Sequence, residues 1–360
     1  MEFLLKLLYN LKNYTIIRRI HYVVKGTRIL TYKTNSHFSP STTLLKDSIL
    51  KLRKNKGGLS MNGKLIEVRG KKLYVEIHGE NHNNAVLYLH GGPGESCYDF
   101  SYHQAKKLSA SMKLILIDQR GVCRSELIQE NESFGLDDII HDCEALRKQL
   151  GIKQWSLIGH SFGGFLALKY AFLFPLSIEK IIFEGPTFDF KLTTLGLLKK
   201  TAKIAENHGY FNLKSQCISV LESVMSAKEL EEVYQELSSQ LGERRMEIYT
   251  FNFKNPTDYS LYSQEEWDQF DYNAEIHYNR LKDEGEIYKT LLPLLRKIET
   301  PMLLLLGKHD PVTCEKQIQE FNNGKDRNIY VFENSGHTPH YEEANVFTNV
   351  VTDYIHSRVN

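Results

Sequence analysis

Residues 159–163 read Gly-His-Ser-Phe-Gly. The apolar run Trp155–Ile158 precedes them, and a helical stretch to about Phe174, stopped by Pro175, follows. A strand that turns at once into a helix holds the central serine in a strained conformation at the C-terminal edge of a sheet. Glycines at 159 and 163 relieve the crowding such a reversal causes. The first N–H groups of the following helix favour developing negative charge there. As a bare pattern this could be a glycine-rich packing turn; in its strand-to-helix setting it points to Ser161 as a nucleophile.

A serine hydroxyl attacks poorly without a base, and the base needs a carboxylate to orient it. In a parallel sheet such partners follow later strands. Gly307-Lys308-His309-Asp310 follows the apolar run Met302–Leu306, and Ser335-Gly336-His337 follows Asn328–Phe332. The chain order Ser161, Asp310, His337 is a known order for a catalytic triad. Alone, Asp310 could equally cap a turn. Asp189, after the strand-like Ile181–Phe183, is the alternative acid, and His340 the alternative base, read as a surface or capping histidine.

His90-Gly91-Gly92-Pro93-Gly94 ends another apolar run, Ala85–Leu89. Pro93 removes a backbone donor and no Gly-Lys-Ser/Thr follows, which argues against a phosphate loop. The segment reads instead as an oxyanion-hole loop, with the N–H groups of Gly92 and Phe162 converging on the reacting oxygen. His90 is expected to order that loop. Asp118-Gln119-Arg120-Gly121 ends the next strand and is expected to tie the loops together by ion pairing, or else to touch substrate. His78 and His82 stand four apart on a strand and turn without further ligands, so neither a metal nor a cofactor is expected.

The elements that must position these groups alternate strand and helix. KLIEVRG and KKLYVEIHG around Gly70 form a hairpin. Strands follow at 85–89, 113–117, 155–158, 181–183, 302–306 and 328–332. Amphipathic helices cover Leu136–Leu150 and Val346–Ile355. This pattern predicts an α/β fold with a mostly parallel central sheet flanked by helices. Residues 187–298 lack strand signals and read as a helical insertion.

The chain has 360 residues, 41% hydrophobic and 25% charged, which excludes collagen-like, disulfide-scaffold and wholly disordered classes. No apolar stretch reaches the 18 residues a membrane helix needs. Five cysteines, an odd number without a CxxC pair, suggest reduced thiols and a cytoplasmic setting. The net charge of +1 hides an asymmetry: residues 1–56 hold twelve Lys/Arg and two Asp/Glu. This arm reads as a helix packed on the body or a frayed extension, with peripheral contact to anionic lipid as the alternative. Nothing in it suggests nucleic-acid recognition. It lacks the apolar core and cleavage site of a secretory signal.

The HGGPG segment at 90–94, DQRG at 118–121 with Ser125, GHSFGG at 159–164, GKHDPV at 307–312 and SGH at 335–337 together resemble the α/β-hydrolase fold. Within it they resemble the proline iminopeptidase (prolyl aminopeptidase) family of serine peptidases. The resemblance covers about 63–186 and 299–357. It implies Ser161 as nucleophile, Asp310 as acid, His337 as base and 187–298 as a helical cap. The domain reading is then a basic extension at 1–60, a core at 61–186 and 299–360, and the cap at 187–298. The sequence departs from the family at Phe162, where tryptophan is common, and at His160 and Cys123, where glycine is.

The expected activity is cofactor-free hydrolysis through an acyl-enzyme, with removal of N-terminal residues, proline first, from short peptides. Family aminopeptidases hold the substrate amine with cap carboxylates. The candidates here include Glu231, Glu232, Glu265, Glu266 and Asp268. Two alternatives stand beside it. A carboxylesterase or lactonase would show only apolar lining in the cap. A non-catalytic ligand-binding protein would have no need of the complete triad.

Overall fold

A computed structural model of the chain describes residues 63–357. The basic extension expected at 1–60, with its helix and lipid contact, lies outside them. The first element is the hairpin β1 (Gly63–Val68) and β2 (Lys71–His78), paired antiparallel from Gly63↔Glu76 to Val68↔Lys71. Its two-residue turn places Arg69 and Gly70 at φ 48° and 75°, the handedness that matches the twist of paired strands. Arg69 occupies this strained position while its guanidinium pairs with Asp138 at 3.1 Å and Asp142 at 2.9 Å.

β3 (Ala85–Leu89) and β4 (Lys113–Ile117) follow, separated by a helical run, Tyr98–Leu108, whose middle is π-helical. Next come α1 (Leu136–Gln149), β5 (Trp155–His160), α2 (Phe162–Leu173) and β6 (Ile178–Glu184). Four longer helices then intervene: α3 (Phe190–Asn207), α4 (Phe211–Leu221), α5 (Ala227–Ser239) and α6 (Gln264–Glu284). The chain returns to the sheet with β7 (Met302–Gly307), α7 (Glu315–Asn322), β8 (Arg327–Phe332) and α8 (Ala344–His356). The run at 98–108 and α7 were not anticipated from the sequence.

The sheet has eight strands in the order β1-β2-β4-β3-β5-β6-β7-β8, parallel from β4 through β8. β3, β5 and β7 are buried along their whole length, as expected of parallel strands covered on both faces. Successive side chains point to opposite faces. Leu87, Leu157, Phe183 and Leu304 therefore enter one apolar core with α1 and α2. Tyr88, Ile158, Ile182 and Leu305 enter another with Phe100, Phe347 and Val351.

The α3–α5 helices bury a third apolar cluster of their own, including Leu198, Leu213, Leu230 and Tyr234. α6 docks on the body through Trp267, which packs with Tyr98, Val122 and Cys123. Among the described residues, no helix is long and apolar enough to cross a membrane.

Sheet order sets where chemistry can occur. The chain passes from β3 to β4 on one side, then returns to β5 on the other. The loops leaving β3 and β5 diverge, opening a crevice at the strands' C-terminal ends. Residues 90–94 and Ser161 both sit there.

Candidate active site

Ser161 lies between the last residue of β5 and the first of α2, at φ 55° and ψ −118°. A non-glycine residue here is strained, and neighbouring backbone holds it in place. Ser161 N donates to Glu184 O at 2.9 Å, and its carbonyl accepts from Gly164 N at 2.9 Å and Thr187 N at 3.2 Å. The reversal packs Gly159 on the backbone of Gly163, and Gly163 on the Leu89 carbonyl, where neither has room for a side chain.

Phe162 opens α2, so its N–H has no intrahelical carbonyl to bond. Across the crevice, Gly91 touches the serine: a β-carbon on it would lie 2.9 Å from Ser161 Cβ. Gly92 lines the same cavity. His90 is fully buried and orders this loop. Its Nε2 accepts from Gln119 N at 3.0 Å, and its carbonyl accepts from Gln119 Nε2 at 3.0 Å. Burial pushes its pKa down, which favours the neutral ring that can accept that bond.

His337 and Asp310 are brought together from the loops after β8 and β7. His337 Nδ1 is 3.1 Å from both Asp310 carboxylate oxygens. Oδ1 of Asp310 also accepts from Val312 N at 2.9 Å. His337 N donates to Tyr249 O at 2.6 Å, tying the loop to the cap. Both side chains are buried, with 7% exposure for His337 and 1% for Asp310. Ser161 and His337 line one cavity of about 240 Å³.

The alternative acid takes another role. Asp189 caps α3, its side chain accepting from Leu192 N at 2.9 Å. The alternative base is corrected outright. His340 is no surface residue but 2% exposed, and both its N–H and its Nδ1 contact Glu184 Oε1, at 2.8 and 2.9 Å. Burial alone would lower its pKa, but the Glu184 carboxylate raises it above the ordinary value.

Asp118 and Arg120 make ion pairs, each with a partner outside its tetrad. Asp118 is bound by Arg124 at 2.6 Å, and Arg120 by Asp142 at 2.7 Å and Glu132 at 3.1 Å. Burial of Asp118 opposes its charge, yet the adjacent Arg124 holds its pKa below the ordinary carboxylate value. Cys123 stands where the resembled family has glycine, and it adopts φ 46°, the region glycine enters without steric cost.

Glu342 went unnoticed in the sequence. Its buried carboxylate accepts from Gly336 N and Thr338 N on the His337 loop, and from Phe251 N and Asn252 N on the cap, at 2.7–3.2 Å. No motif announces it; only its position five residues after His337 in a tight loop hints at such a clamp.

The cap carboxylates separate. Glu266 is absorbed in the capping box of α6 with Ser263. Glu265 is exposed. Asp268 accepts from Gln264, and Glu232 is a surface partner of Lys282 at 3.9 Å. Glu231 alone of the five lines the cavity. It is 4% exposed. Its Oε1 accepts from Gln235 Nε2 at 2.8 Å and from the Tyr278 hydroxyl. Its Oε2 has no hydrogen-bond partner, and Lys282 Nζ is 3.8 Å away. Glu95 and Asp99 line the cavity too, and among the described residues no lysine or arginine does.

None of the five cysteines forms a disulfide among the described residues. Residues 84–344 match the family model described as the alpha/beta hydrolase fold. A proline iminopeptidase of Heyndrickxia coagulans is 27% identical over 306 residues, covering 81% of this chain and 98% of that protein. The crystal structure of a proline iminopeptidase from Mycobacterium smegmatis superimposes with a TM-score of 0.62 at 18% identity, over 82% of this chain and 97% of that one. An esterase from Exiguobacterium antarcticum shares the fold with a TM-score of 0.55 at 21% identity, over 82% and 100% of the respective chains.

Proposed function

Since the chain belongs to the alpha/beta hydrolase fold family, we propose that it is a serine hydrolase that releases N-terminal residues, proline first, from short peptides. Ser161 Oγ attacks the carbonyl carbon of the scissile bond while His337 takes the serine proton. Asp310, bonded at Nδ1, holds the imidazole in the orientation that leaves Nε2 to act and stabilises the imidazolium. The N–H groups of Gly92 and Phe162 receive the developing oxyanion. His337 returns the proton to the leaving amine, and an acyl-enzyme remains. A water activated by the same histidine then releases the product.

The observation that carries the peptidase reading is Glu231. One oxygen of this buried carboxylate beside the cavity makes no hydrogen bond and has Lys282 Nζ at 3.8 Å as an ion-pair partner, which leaves it able to accept a hydrogen bond from a second cation. A free N-terminal amine, charged near neutral pH, is such a cation, and Glu95 and Asp99 add negative charge to the same cavity. An esterase needs no counter-charge for an amine.

A second reading, a carboxylesterase or lactonase, draws support from the apolar part of the cavity wall, where Phe190, Leu197 and Val312 stand. Comparing N-terminal aminoacyl amides with short acyl esters and lactones, with Ser161→Ala as blank, separates the two. Turnover of prolyl amides that vanishes in Ser161→Ala is expected. Turnover of esters without any aminoacyl amide would remove the peptidase reading. Equal activity in Ser161→Ala would remove Ser161 from the mechanism.

A further inference from the structure

Behind the nucleophile lies a second group of titratable side chains that hydrolysis does not use. His160 ends β5, Glu184 ends β6 and His340 follows His337 by three residues. All three are buried, at 9%, 0% and 2% exposure. Glu184 Oε2 and His160 Nδ1 are 3.6 Å apart, and neither has a hydrogen-bond partner. His340 Nδ1 contacts the other Glu184 oxygen at 2.9 Å, while its Nε2 has none. Each side chain offers one donor atom, and the three atoms lie within 4.8 Å of one another.

Buried polar atoms without partners are uncommon, and two of them, His160 Nδ1 and Glu184 Oε2, face one another here with His340 on the other carboxylate oxygen. Two imidazoles and a carboxylate form a borderline-soft donor set, which suits Zn²⁺ rather than Mg²⁺ or Ca²⁺. The site is also reachable, because His160 and His340 line the cavity that holds Ser161.

We propose that His160, Glu184 and His340 form a binding site for a divalent transition-metal ion of the Zn²⁺ class, and that its occupation inhibits the enzyme. A tetrahedral zinc ion, with bonds of about 2.0–2.2 Å, holds its donors roughly 3.4 Å apart. His160 Nδ1 and Glu184 Oε2, 3.6 Å apart, already stand close to that spacing. The His160 ring now packs on His337, with centroids 4.6 Å apart. An ion held by His160 is therefore placed next to the base. It sets positive charge beside an imidazole that must itself become positive during attack. The inhibitory consequence rests on the serine-hydrolase reading above; the binding does not.

The experiment is calorimetric titration of the metal-stripped full chain with ZnCl₂ alone, followed by zinc K-edge absorption of the complex. One equivalent is expected to bind below about 10 µM, with two imidazoles in the coordination shell. Glu184→Gln and His340→Gln should each weaken that binding by about tenfold or more. His337→Ala should keep it, which separates this site from the catalytic pair. Hydrolysis by the wild type should fall by about tenfold at saturation. Absence of saturable binding up to about 100 µM, or a shell with fewer than two imidazoles, would overturn the site; both use the wild type and are indifferent to whether a variant folds. Affinity unchanged in both glutamine variants would overturn it equally. Tight binding without inhibition would leave the site standing and overturn its regulatory role.

Discussion

Gly185 lies directly against His337: a β-carbon on this glycine would fall 2.8 Å from His337 Nδ1 and 2.7 Å from Asp310 Oδ2. The glycine also adopts φ 48°, a conformation side chains resist. Glu184, the residue before it, accepts from Ser161 N. The backbone at 184–185 thus abuts all three groups of the candidate triad.

Gly185→Ala is therefore expected to push the imidazole off the carboxylate. A misplacement of about 1 Å can cost on the order of 10²-fold in rate. Steady-state kinetics should show a loss in kcat of that size with KM little changed. Thermal unfolding should show a destabilisation of about 1–2 kcal/mol from the left-handed backbone. A variant with wild-type kcat would show that this contact does not set the geometry of the base.

Glu342 ties the His337 loop to the cap. Truncation in Glu342→Ala leaves several buried N–H groups without an acceptor, at about 1–3 kcal/mol for each one left unsatisfied. The expected outcome is a fall of at least about 3 kcal/mol in unfolding free energy by denaturant titration, together with a lower kcat. Glu342→Gln, which keeps one acceptor oxygen, should fall between the two proteins.

Glu231→Gln keeps the shape of the side chain and removes its charge. A hydrogen bond to a charged group contributes about 1.5–3 kcal/mol, so KM for prolyl amides should rise about 10- to 100-fold. Hydrolysis of an uncharged ester of similar size should change little. Parallel losses on both substrates would mean that Glu231 shapes the cavity without recognising an amine.

His277 is fully buried, its Nδ1 donating to the Arg120 carbonyl at 2.8 Å, and burial lowers its pKa from 6.5 to about 3. A lowered value means that the unfolded chain binds the extra proton first. The stability associated with the neutral ring is complete above pH 6.5 and is lost progressively as pH falls from 6.5 toward 3. The slope contributed is up to about 1.4 kcal/mol per pH unit. Urea unfolding at a series of pH values between 6.5 and 4 should show a shallower decline for His277→Gln than for the wild type. Parallel declines would assign the acid sensitivity to other groups.

The strand-to-helix turn around Ser161 was legible because its requirements are local. A buried apolar strand, two glycines and a largely apolar helix fall within about twenty residues. The same holds for the hairpin at Gly70 and for the helix Leu136–Gln149. Candidates for acid and base could be read from positions alone, since a parallel sheet gathers the residues that follow its strands along one edge. His340 was misread because a histidine in a polar loop carries no local sign of burial. Its partner Glu184 lies 156 residues away in sequence, at the end of β6, and only the seating of the segment after β8 against the strand ends sets the two together.

From its sequence alone, this chain determines an alternating α/β fold and the motifs that end its strands, since periodicity and turn chemistry act over a few residues. The tertiary structure decided which carboxylate faces the cavity, which clamps the His337 loop, and that His160, Glu184 and His340 meet behind Ser161. Those outcomes depend on sheet register and on how the α3–α6 helices seat over the strand ends. Contacts between residues a hundred positions apart are products of packing, which no short stretch of residues encodes.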